Sequence, residues 1–326
     1  MIARMDAFGA FGPAWERMRR MLFVRSSVGV WFSFGLAFFL QDCVEGGNSY
    51  NFNGDPGSVQ RMFSENGPLG KYETGELLLF GGIALLVSVP ILVLALWLGA
   101  RGQAVALRSV MSGYMNLGAQ WTDTREAGGR IFGWHLRFAL LSSLILLPLV
   151  GGFVALGLSV NDAPDARAAI IVGALFCIGI VLLPLMAYRC LVRNFVFPLM
   201  VGKSLSSRDA WQLFRGAARG KVGGVLLFFV ARVLIGMVGG MVALVSTLIT
   251  CCIGALPILH QTVMAPFYVF ERSHALYTLA SLGPELSLLE TPPDEFGGFG
   301  ASTPGPYYGD QGAPPPAGGF GGPPGV

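Results

Sequence analysis

The runs of sequence without Asp, Glu, Lys or Arg constrain this chain more than any other feature. Leu77 to Ala100 and Phe138 to Asn161 each extend 24 residues, and Ala168 to Tyr188 extends 21. A hydrocarbon core about 30 Å thick is crossed by roughly 20 apolar helical residues, so each run can span a bilayer. Val222 to Phe270 is 49 residues broken only by Arg232. It is too long for one span and suits two helices joined by a turn at Thr250 to Gly254. A shorter run, Ser26 to Gln41, has 16 residues between Arg25 and Asp42. It becomes a sixth span if Arg25 snorkels and Met21 to Val24 enter the membrane. No small-x-small cleavage site follows it, and the residues before Cys43 are not those of a lipoprotein signal, so it is expected to stay as a helix. The charged fraction of 13%, against roughly 25% in ordinary soluble domains, agrees with a membrane protein.

Orientation follows from the basic residues. With the N-terminus in the cytoplasm, inner segments hold 17 of the 22 Lys and Arg, outer segments hold only Arg61, Lys71 and Arg167, and Arg137 and Arg232 lie within spans. The positive-inside rule then predicts an all-α, polytopic bundle of six spans with both termini inside. Residues 1–290 form the membrane domain, and residues 42–76 form an irregular outer loop. The apolar spacing from Arg101 to Trp121 predicts that the second span runs on beyond the membrane or turns along its surface. Between Ser206 and Gly220, Ser207 is expected to cap an interfacial helix with Trp211, Leu213 and Phe214 toward lipid and Arg208, Arg215 and Arg219 toward head groups. From Thr291 to Val326, 11 Gly and 9 Pro fall among 36 residues without Lys or Arg. That composition predicts a disordered cytoplasmic tail, whose Phe-Gly pairs and Pro314-Pro315-Pro316 run could engage a protein partner.

Chemistry is scarce. His135, His260 and His274 are dispersed, none of the familiar metalloprotease, nucleophile-elbow or phosphate-loop patterns occurs, and no catalytic, cofactor or metal residues are assigned. A net charge of +3 is too small for bulk nucleic-acid binding. Cys43, Cys251 and Cys252 lie near the outer face, where a disulfide or free thiols are both open. Gly220, Gly224, Gly236 and Gly240 put small residues on one face of the fifth span, for close helix contact. No Asp or Glu falls inside the proposed spans.

Arg232 is therefore the most informative polar residue. Lying roughly 16 Å into its helix, it costs from about 2.5 to more than 10 kcal/mol unless paired or hydrated. His260, Gln261, Ser142, Ser143, backbone at proline breaks or an anionic ligand are the candidate partners, and snorkelling is the alternative. Arg232, His260 and Gln261 form the candidate polar site.

Dispersed motifs add a resemblance. Ala14-Trp15-Glu16-Arg17-Met18, Leu22-Phe23, Trp31, Trp97-x-x-Ala100-Arg101-Gly102, Trp121 and Ile131-Phe132-x-Trp134 mark the first half. Cys251-Cys252-Ile253-Gly254-x-Leu256-Pro257, Ala265-Pro266-Phe267-x-Val269-Phe270-x-Arg272 and Tyr277 mark the second. Over about residues 10–285 these resemble a poorly characterised group of bacterial and archaeal six-helix membrane proteins. That group is similar to the membrane domain beside glycerophosphoryl diester phosphodiesterases and to YciC-like inner-membrane proteins. The phosphodiesterase barrel has no counterpart here, so the resemblance implies location in the bacterial inner membrane without implying that activity. Two functions remain: a non-catalytic protein that organises or regulates membrane partners, or a permease or lipid-handling protein with an anionic ligand, such as a lipid phosphate, near Arg232.

Overall fold

The computed structural model describes residues 5–24, 27–45, 74–159, 164–249 and 257–290. Residues 46–73 of the outer loop, the Thr250 to Gly254 turn, the tail and the Cys43, Cys251 and Cys252 side chains lie outside them, whereas residues 42–45 and 74–76, expected within that loop, are helical. Among the described residues the structure is helical, without strands. Helix α1 (Phe11–Arg19) continues through a π-helical turn (Arg20–Val24) toward α2 (Val28–Glu45), which is followed by α3 (Thr74–Ser112) and α4 (Leu117–Asp123). Then come α5 (Arg125–Ser159) and α6 (Pro164–Leu191), a second π turn (Val192–Val196), α7 (Phe197–Gly202), α8 (Ser207–Ala218), α9 (Val222–Ile249) and α10 (Pro257–Ala280).

Local chemistry explains the boundaries. Gly113 takes φ +79° just past α3, the left-handed geometry that ends helices and suits glycine. Asn116 caps α4 by accepting from the Ala119 N–H at 3.2 Å, and Ser206 caps α8 by accepting from the Asp209 N–H at 3.2 Å. The cap of α8 is thus one residue earlier than expected. The second apolar run does continue beyond its span, as one helix as far as Ser112.

Among the described residues, four helices are long and apolar enough to cross a membrane: Gly82–Ser112, Arg125–Gly157, Ala169–Gly202 and Val222–Leu248. This is two fewer than the sequence reading expects. The apolar stretch of α2, Val28–Asp42, is short, and α10 carries Glu271, Arg272 and His274, all buried, in its second half.

Hydrogen bonds gather the helix ends at one basic pole. Arg17 donates to the carbonyls of Val110 at 2.8 Å and Met111 at 2.7 Å, satisfying acceptors that the end of α3 leaves without intrahelical donors. Burial pushes the Arg17 guanidinium below the ordinary arginine value. The Glu290 N–H donates to Met111 at 2.8 Å, Lys221 reaches the Leu282 carbonyl at 3.2 Å, and Arg108 pairs with Asp123 at 3.1 Å and Glu290 at 2.5 Å. The last turn of α1, the starts of α5 and α9 and the ends of α3 and α10 therefore share one end, and successive long helices alternate in direction.

The core lies toward that pole, where Leu22, Phe34, Phe38, Leu107, Met111, Ile131, Phe195, Phe197 and Phe228 are fully buried. The apolar lengths beyond it are bare. Leu144 and Leu147 on α5, Phe176 and Leu183 on α6 and Met241 on α9 are 69–72% exposed. Such extended apolar surface is what lipid covers. The apolar face of α8 departs from expectation, since Phe214 stacks on Phe195 at 4.8 Å and Trp211 meets Tyr188 at 5.4 Å. That face completes the protein core instead of entering lipid. The expected glycine face is used only in part: a Cβ at Gly224 would lie 2.6 Å from Met5 Cβ, one at Gly236 or Gly240 would meet nothing within 4 Å, and one at Gly239, which was not expected, would strike the Phe267 ring.

Candidate functional site

The polar centre of the fold is built on α9 and α10. They are antiparallel, so residues equally distant from the turn between them lie at one level. Arg232 sits level with Glu271, which follows directly on the apolar stretch that ends at Phe270. Arg232 Nη2 donates to Glu271 Oε1. The second π turn brings in Arg193, whose Nη2 lies 3.3 Å from the same oxygen. Side-chain exposures are 9% for Glu271, 14% for Arg232 and 24% for Arg193.

Two guanidiniums thus converge on one carboxylate in a poorly hydrated place. Phe228 and Ala231 are fully buried on α9 beside Arg232. His274, one turn from Glu271, stacks on Phe228 at 6.1 Å and donates to the Ala7 carbonyl at 2.8 Å, fastening the N-terminal segment over the cluster. Asn194, next to Arg193, donates back to the Cys190 carbonyl at 2.8 Å. Such a centre locks helix positions. Its members hold one another through charge.

Placed in this structure, the residues singled out from sequence separate. Arg232 is in the centre, but its partner is Glu271, which corrects the expectation that no carboxylate is within reach. Gln261 Nε2 instead donates to Asp42 of α2, and His260 is its half-buried neighbour. Ten residues along α10 separate Gln261 from Glu271, roughly 15 Å at the helical rise. Ser142 donates to Ala139 in its own helix at 3.0 Å. Arg232, His260 and Gln261 are therefore not one site. Glu271 and Arg193 were missed because the charge-free run was counted as the whole span. The signal was present: counting equal distances either side of residues 250–254 leads from Arg232 to position 272, beside Glu271.

His135 lies 3.1 Å from Gln103 Oε1 and makes an edge contact with Phe197, so it too belongs to the packing. Among the described residues no three His, Cys, Asp or Glu side chains are placed to hold a metal ion, and Cys177 and Cys190 are free thiols.

A second polar feature is a cleft of about 890 Å³ between α5 and α8, with the end of α4 at its rim. Arg125, Arg130, Arg137 and Arg208 line it together with Asp123 and Glu126, and it does not extend to Arg232.

Neither the curated proteins nor the solved structures contain a match to this chain. A family does match across nearly all of the described fold, residues 5–289, and the chain belongs to it: a family of unknown function (DUF7544).

Proposed function

We propose that this protein is a non-catalytic integral membrane protein whose basic, tightly packed pole organises or regulates partners at the cytoplasmic face. The observation that carries this reading is the pairing of Arg232 with Glu271 and Arg193. An arginine already held by a carboxylate within the fold serves to fix its helix against the next, and it needs no added anion to be accommodated. The alternative, a permease or lipid-handling protein with an anion on Arg232, loses its chief support. Reconstituted in liposomes, the full chain should leave lipid scrambling and anion leak at the rates of protein-free vesicles. An Arg232-dependent flux in either assay would replace this reading with the permease.

The same proposal carries the finer topology: six crossings, with α2 and α10 as the first and last, and both termini in the cytoplasm of a bacterial inner membrane. The alternating helix directions and the basic pole support it through the positive-inside rule. So does the resemblance to the membrane domain beside glycerophosphoryl diester phosphodiesterases. The tail from Thr291 onward is the proposed contact for a soluble partner. With the native cysteines replaced, Asp55→Cys should react with an impermeant maleimide from outside and Arg208→Cys only after the membrane is opened. Labelling of both from one side would rule out the six-span arrangement.

A further inference from the structure

We propose that the cleft between α5 and α8 is a binding site for the phosphate-bearing head group of an anionic phospholipid. Its chemistry is one-sided. Of the acidic groups that line it, Asp123 is engaged by Arg108 at 3.1 Å and Glu126 by Arg130 at 3.4 Å. Arg130 also donates to the Ser204 carbonyl at 2.6 Å, so it is a strut that holds the α8 approach against α5. Arg125, Arg137 and Arg208 make no ion pair with a carboxylate among the described residues. Their planar donor forks are suited to phosphate oxygens.

The floor is built for occupancy. Arg125, Gly129, Gly133 and Arg137 recur every fourth residue and share one face of α5. A Cβ at Gly129 would meet nothing within 4 Å, and one at Gly133 would meet only an Arg137 nitrogen at 3.8 Å. Gly129 therefore leaves space open beside Arg125 without being required by helix packing, and at Gly133 the Arg137 side chain folds over the helix, its Nε donating to the Gly133 carbonyl at 2.9 Å. On the opposite wall, Ser207 and Arg208 form the first turn of α8, whose N–H groups have no intrahelical acceptors and add positive potential. The volume falls within the roughly 300–1,000 Å³ of small-ligand sites.

Position selects a lipid over a free anion. Just beyond Arg137 on α5, Leu140 and Leu144 are 64% and 71% exposed. A phosphate held between Arg137 and Arg208 would thus have bare helix beside it for its acyl chains. This inference rests on the membrane placement proposed above but not on the role assigned to Arg232.

The test is native mass spectrometry of the full chain in mild detergent with added phosphatidylglycerol, phosphatidylcholine as the neutral control, and millimolar inorganic phosphate as competitor. Wild type should retain phosphatidylglycerol roughly tenfold over phosphatidylcholine, as expected for charge-assisted bonds worth about 1.4 kcal/mol or more, and phosphate should not displace it. Arg125→Gln/Arg137→Gln/Arg208→Gln should abolish the preference, and Arg232→Met should keep it. Gly129→Leu fills the cleft while favouring helix, so it should lose the preference with unchanged thermal unfolding, and it decides the matter if the triple variant fails to fold. Equal retention by wild type and Gly129→Leu would overturn the site, and displacement by inorganic phosphate would overturn the lipid as its occupant. Either failure leaves the cysteine-labelling result intact, so the site and the membrane topology are judged separately.

Discussion

Glu271→Gln should be among the most damaging single substitutions in this protein, lowering stability in detergent by about 3–5 kcal/mol, the range found when one partner is removed from a buried ion pair. Glutamine keeps the size of the side chain but leaves Arg193 and Arg232 facing each other without the carboxylate they share. Arg232→Met should cost less, because Glu271 retains Arg193 at 3.3 Å and methionine suits the apolar neighbours Phe228 and Ala231. Combining Arg232→Met with Glu271→Leu should recover part of the loss, since contacting residues are not additive. Thermal unfolding of wild type and the three variants in one detergent measures this. A midpoint for Glu271→Gln at or above that of wild type would show that the charge cluster does not hold α9 to α10.

Gly102→Ala should lose about 1–3 kcal/mol through overpacking, although alanine in a helix interior is otherwise favoured over glycine by about 1 kcal/mol. The reason is the approach of α2 to α3: a Cβ at Gly102 would lie 2.5 Å from Leu40 Cβ and 2.8 Å from the Ala37 carbonyl oxygen. Both atoms belong to or move with the α2 backbone, so no rotamer change relieves the clash. Gly35→Ala should act similarly across α2 and α10, because its Cβ would lie 2.9 Å from Thr262 Cα. Gly151→Ala is the control, since nothing lies within 4 Å of that position, and it should be neutral or slightly stabilising. If all three alanine variants unfold at one temperature, α2 is not wedged between α3 and α10 as described.

These two sites show where sequence reasoning reaches and where it stops. The long charge-free runs identified helices α3, α5, α6 and α9, because a bilayer imposes a minimum apolar length that composition alone reveals. The extension of α3 to Ser112 and a capped helix near Ser206 were legible too, since periodicity and capping are local properties. What a helix does once formed depends on its neighbours. The sequence offered Gly236 and Gly240 as the contact face of α9, yet Gly239 meets Phe267. It offered the aromatic face of α8 to lipid, yet Phe195 and Tyr188 cover it.

The amino-acid sequence by itself determined that this chain is helical, apolar and basic at one end, because those properties are sums over local residues. Only the tertiary structure decided which charge meets which. Arg232 and Glu271 are 39 residues apart in sequence and become partners because α9 and α10 run antiparallel, while Arg193 joins them from another helix through a π turn. The cleft between α5 and α8 has the same origin, since Arg137 and Arg208 come to line one space only when two helices distant in the chain are packed together.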